Sequence, residues 1–139
     1  SDQVTRTEYE VTDVFYAVHV KRNAPPDAPR TMRVDYRIGF NDYVSEWVCF
    51  EHDGYPRQKA ETWWRARSQE PVPQTAADAV DLAQAGALAP TLAITVLRAA
   101  GEQFDRVVGY RLGARPPGLE SSEGLPEYAA PVDDSEVPF

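Results

Sequence analysis

The chain has 139 residues, 42% hydrophobic and 11% aromatic, which is the size of one ordinary domain that can bury its own core without a staple. No apolar run is long enough for a membrane span or a signal peptide, and the single cysteine, Cys49, excludes an internal disulfide and either fits a reducing cytoplasm or is neutral about compartment. The formal charge of −8 is unevenly spread: residues 116–139 hold six acids and no lysine or arginine, leaving 16 acidic and 14 basic side chains, a net of −2, for residues 1–115.

Residues 1–10 read as an N-terminal extension, and a start at Ser1 rather than Met suggests a piece of a larger protein or a processed chain. Residues 11–21 alternate as a strand, with Val14, Tyr16, Val18 and Val20 on one side. The following RNAPPDAPR is a loop, since three prolines in nine residues exclude a ladder. Residues 31–40 give the clearest strand: Met32, Val34, Tyr36, Ile38 and Phe40 form an apolar face and Arg33, Asp35 and Arg37 a polar one. Asn41 and Asp42 turn the chain into a third strand over 43–52, antiparallel to the second.

A helix is predicted from Pro56 to Ser68, with Ala60, Trp63, Trp64 and Arg67 on one stripe and Arg57, Glu61 and Arg65 stacked at i, i+4 on another. After the linker QEPVPQ, Thr75 caps a second helix with Asp78 three residues on, and Gly86 ends it. Two more strands, 92–98 and 104–112, close the body. The expected fold is a single α+β domain over 11–113, a five-stranded mainly antiparallel sheet in the order β-β-β-α-α-β-β. Either an open sandwich or an OB-like barrel satisfies that order.

The aromatic stretch around Trp47, Trp63 and Trp64, with Tyr43, Phe50 and Tyr55, suggests a platform for stacking bases beside Arg57, Lys59, Arg65 and Arg67. Residues 54–67 carry +3, the most basic window in the chain. The competing reading is that both helix tryptophans are core, with Arg57 and Arg65 exposed for phosphate contact. Arg33 and Arg37 are candidates for a phosphate track, or for a solvated face paired through Asp35. Glu46, Cys49, Glu51, His19 and His52 lack metal-ligand spacing, and no nucleophile or phosphate-loop motif occurs. The chain is therefore expected to be non-catalytic, with no cofactor and no metal.

Residues 114–131 are rich in proline, glycine, serine and glutamate, so residues 114–139 are expected to form a flexible acidic tail. Its end, DDSEVPF, offers an apolar ring and an α-carboxylate together at Phe139, with Pro138 limiting the conformations lost on binding. Asp133, Asp134 and Glu136 would steer it toward a positive surface. The alternative is an inert solubilising tail.

Two resemblances bear on these readings. DDSEVPF resembles the C-terminal tip of bacterial single-stranded-DNA-binding proteins, with Ser135 interrupting the acidic run and Val137 in place of a larger aliphatic. The resemblance implies that Asp133, Asp134, Glu136, Val137, Pro138 and Phe139 dock DNA replication and repair proteins. The segments WVCFEH (47–52) and KAETWW (59–64) make residues 11–113 look like a C-terminal domain that follows the motor of bacterial and phage superfamily 2 DEAD/DEAH helicases of the RadD type. That resemblance implies an accessory domain of a repair or replication helicase that contacts single-stranded or branched DNA, with any ATPase on a missing N-terminal portion. The alternative is a pure protein-interaction domain without DNA contact.

Overall fold

The computed structural model describes residues 4–102 and 105–119. Eight elements follow in chain order: β1 Val4–Glu10, β2 Asp13–His19, β3 Thr31–Gly39, β4 Asp42–Val48, α1 Tyr55–Arg67, α2 Ala76–Gln84, β5 Thr91–Ala99 and β6 Arg106–Leu112. The expected single five-stranded sheet does not form. Among the described residues there are six strands in two separate three-stranded antiparallel sheets, ordered β2-β3-β4 and β1-β5-β6.

Two physical causes account for the difference. The sequence VTRTEYE exposes nearly every side chain, so β1 carries no apolar alternation to announce it. Its main chain pairs with β5 from Val4↔Ala99 to Glu10↔Ala93, which places β5 in the middle of its sheet. The second cause is a change of sheet between adjacent residues. Val11 N–H donates to Leu92 O of β5, and the next residue, Thr12, donates to Arg37 O of β3. The chain therefore leaves one sheet and enters the other at a single corner.

The core lies between the inner face of β2-β3-β4, the two helices and β5. Met32, Val34 and Tyr36 are fully buried on β3, joined by Val44 and Val48 of β4, Ala60 and Trp64 of α1, Ala76, Ala79 and Val80 of α2, and Ile94 and Val96 of β5. The Phe50 and Trp64 rings meet edge to face at 5.8 Å, and Trp64 Nε1 donates to Glu70 O at 3.0 Å. Phe40, expected on the apolar face of β3, instead sits in the β3–β4 turn and is 88% exposed. The register shifts between Arg37 and Gly39, which breaks the period of two before Phe40 is reached.

Local signals place the helices. Pro56 lies in the first turn of α1, where its missing N–H costs no hydrogen bond. Thr75 Oγ1 accepts from Asp78 N–H at 3.1 Å, and Glu51 Oε2 accepts from Ala76 N–H at 2.8 Å, so a carboxylate from the β4–α1 segment completes the cap of α2. Gly86, at φ 92°, ends the second helix in the left-handed region. Beyond β6, residues expected to begin the free tail lie against the body: Arg115 Nη1 donates to Arg65 O at 2.7 Å, and Leu119 N–H donates to the Glu70 carboxylate.

Candidate nucleic-acid interface

Because successive strand residues point to opposite faces, burying the even-numbered residues of β3 and β4 forces the odd ones outward. In register, Asp13–Arg37–Tyr43, Phe15–Asp35–Ser45 and Ala17–Arg33–Trp47 form three rows across the outer face of this sheet. Among the described residues, no helix covers that face. Phe15, Tyr43 and Trp47 are 47%, 46% and 49% exposed. The Phe15 and Tyr43 rings meet at 6.2 Å and the His19 and Trp47 rings at 4.6 Å, both edge to face, so each pair of rings comes from the two outer strands of the sheet.

The polar residues between them are held in place. Arg33 Nε lies 3.2 Å from Asp35 Oδ2, an ion pair without hydrogen-bond alignment, and Asp35 Oδ1 accepts from Ser45 Oγ at 2.6 Å. The Arg33 side chain remains 42% exposed. Arg37 Nε donates to Gly39 O at 3.3 Å. At the far end of β2, Lys21 and Arg22 border the same depression as His19 and Trp47. Sequence reasoning singled out Arg33, Arg37, Tyr43 and Trp47 but missed Phe15, whose outward position was already legible in the alternation of β2.

The basic window on α1 divides. Arg57, expected to be exposed, has an 18% exposed side chain. Its Nη1 donates to Phe50 O and Pro73 O, both at 2.8 Å, and its Nε to Glu61 at 3.0 Å, so it ties the two ends of the helical segment together. Arg67 is 2% exposed, with its guanidinium 4.1 Å from the ring centroids of both Trp63 and Tyr110. Lys59 and Arg65 stay at the surface, Lys59 5.6 Å from the Tyr55 ring and Arg65 3.8 Å from Glu61. Trp64 is core, and Trp63 is half-buried.

On the inner side of β4, Glu46 gathers three donors: Tyr36 Oη at 2.7 Å, Trp63 Nε1 at 3.1 Å and Tyr110 Oη. Burial first, and then the negative charge of Glu46, hold the Tyr36 and Tyr110 phenols well above their usual pKa. Burial pushes Tyr16 up to about 12, with Arg67 opposing the shift. Among the described residues, no group of three or more histidine, cysteine or acidic side chains is placed to hold a metal ion.

The tip residues Asp133, Asp134, Glu136, Val137, Pro138 and Phe139 lie outside the described residues. No helix among the described residues is long and apolar enough to cross a membrane. No family model, curated protein or solved structure matches this chain.

Proposed function

We propose that the chain is a non-catalytic module of DNA metabolism in a reducing cytoplasm, and that the open face of the β2-β3-β4 sheet holds single-stranded or branched DNA. The observation that carries this reading is three half-exposed rings, Phe15, Tyr43 and Trp47, on one uncovered face interleaved with Arg33 and Arg37. Stacking on such rings contributes about 1–3 kcal/mol per base and tolerates any sequence, while arginines and lysines take the phosphates. The resemblance to helicase accessory domains implies contact with single-stranded or branched DNA. The acidic tip, by its resemblance and its charge, would recruit replication or repair proteins.

The test is anisotropy of a labelled oligothymidylate of about 15 nucleotides at low salt. Phe15→Ala with Trp47→Ala is expected to weaken binding at least about tenfold, and Arg33→Ala to flatten the salt dependence by about one phosphate. No binding of the unaltered protein at low salt would overturn the reading. A second reading, a protein-docking face, is favoured by the net of −2 over residues 1–115 and by the pairing of Arg33 with Asp35. It requires that the same double substitution abolish capture of a protein partner while oligonucleotide is never bound.

A further inference from the structure

A cavity of about 770 Å³ opens between α1, β4 and β6, a size common among small-molecule sites. Four aromatic side chains, Trp47, Tyr55, Trp63 and Tyr110, line it. Three charged side chains reach it, Glu46, Lys59 and Arg67. Glu46 already accepts from three donors, so it has little left to offer an incoming group.

Arg67 is in the opposite condition. Its guanidinium carbon lies 4.1 Å from the ring centroids of both Trp63 and Tyr110, and Nη1 donates to Trp63 O at 2.9 Å. Nε and Nη2 are buried and have no hydrogen-bond partner. Among the described residues, no carboxylate comes within 4.0 Å of this guanidinium. Ring faces stabilise a cation but do nothing for N–H bonds in the guanidinium plane. A buried donor left unpaired costs about 1–3 kcal/mol, and more when it is charged. The edge of Arg67 therefore calls for an anionic acceptor, and the rings around it call for a flat apolar body. Lys59 adds a second positive charge to the lining.

We propose that this cavity binds a small aromatic ligand bearing a carboxylate or phosphate, its ring against the aromatic wall and its anion on Nε and Nη2 of Arg67. Entry to those atoms requires the Trp63 or Tyr110 ring to turn, and Tyr110, at 36% exposure, is the more open of the two. The site is separate from the outer sheet face, sharing with it only the edge residues Trp47 and Cys49.

Isothermal titration calorimetry tests this with adenosine 5′-monophosphate and indole-3-acetate, each against its uncharged parent, adenosine and indole, up to about 5 mM. The expected result is one-to-one binding of at least one anion, about tenfold tighter than its parent. Which of the two anions binds separates a nucleotide source from an aromatic carboxylate. Ala66→Trp, at an exposed position on the cavity wall, is expected to reduce that affinity about tenfold while leaving the fold intact. Arg67→Lys, which keeps the charge and loses the in-plane donors, is expected to remove the preference for the anion. The proposal is overturned if neither anion binds, if charged and uncharged forms bind alike, or if Ala66→Trp binds as the unaltered protein does. Because the probes are small molecules, a failure of oligonucleotide binding to the sheet face leaves this outcome readable.

Discussion

Replacing Glu46 by leucine would leave three donors without their shared acceptor. Tyr36 is fully buried, so its hydroxyl cannot recover a water partner and loses about 1–3 kcal/mol. Trp63 and Tyr110 are partly open and rehydrate more easily, which puts each near the lower end of that range, about 1 kcal/mol. The sum is a loss of about 3–5 kcal/mol, read as a fall in the urea midpoint at unchanged slope. Adding Tyr36→Phe to Glu46→Leu removes the worst orphan, so the double variant should be more stable than the sum of the two single losses by about 1 kcal/mol. A Glu46→Leu protein within about 0.5 kcal/mol of the parent, or a strictly additive double variant, would refute the reasoning that Glu46 is the shared anchor of these rings.

Other substitutions separate core from surface. Trp64→Ala should cost about 3–5 kcal/mol in urea unfolding, whereas Trp47→Ala, on the open sheet face, should cost little. Arg57→Ala should lower stability by about 1–3 kcal/mol through the freed Phe50 and Pro73 carbonyls, and should leave the salt slope of oligonucleotide binding unchanged. The tyrosines set an alkaline limit. Tyr16, Tyr36 and Tyr110 are held neutral in the folded state, so their contribution is complete below pH 10 and lost as pH rises through about 12 and beyond. Tyrosinate absorbance at these three positions should therefore appear together with unfolding; early titration of all three in a folded protein would contradict it. Thr75→Ala should cost about 1 kcal/mol through the lost cap on α2, measurable as a shift in thermal midpoint.

The residues that showed themselves in the sequence are those whose fate is set locally. The alternation of Met32, Val34 and Tyr36 announced β3, and the Thr75–Asp78 spacing with Gly86 announced both ends of α2. The first strand stayed hidden because main-chain pairing with β5 holds it, and an exposed strand needs no apolar period. The corner at Val11 and Thr12 was equally hidden, since the choice of sheet depends on carbonyls at Leu92 and Arg37, far along the chain. At the site, the outward residues of β3 were legible from period two, but Arg67 was not. Its neighbours on the helix stripe pointed inward, yet its charge argued for solvent, and only Tyr110 from β6 supplies the second ring that allows burial.

The central claim is that the uncovered face of the β2-β3-β4 sheet is where a single strand lies. Titrating isotope-labelled protein with unlabelled oligothymidylate, and following amide and ring resonances by NMR, reads that face residue by residue. Shifts are expected to concentrate at Phe15, Ala17, Arg33, Tyr43 and Trp47, with β1 and β5 unmoved. Shifts confined to the β1-β5-β6 sheet, or none at saturating oligonucleotide in low salt, would contradict it.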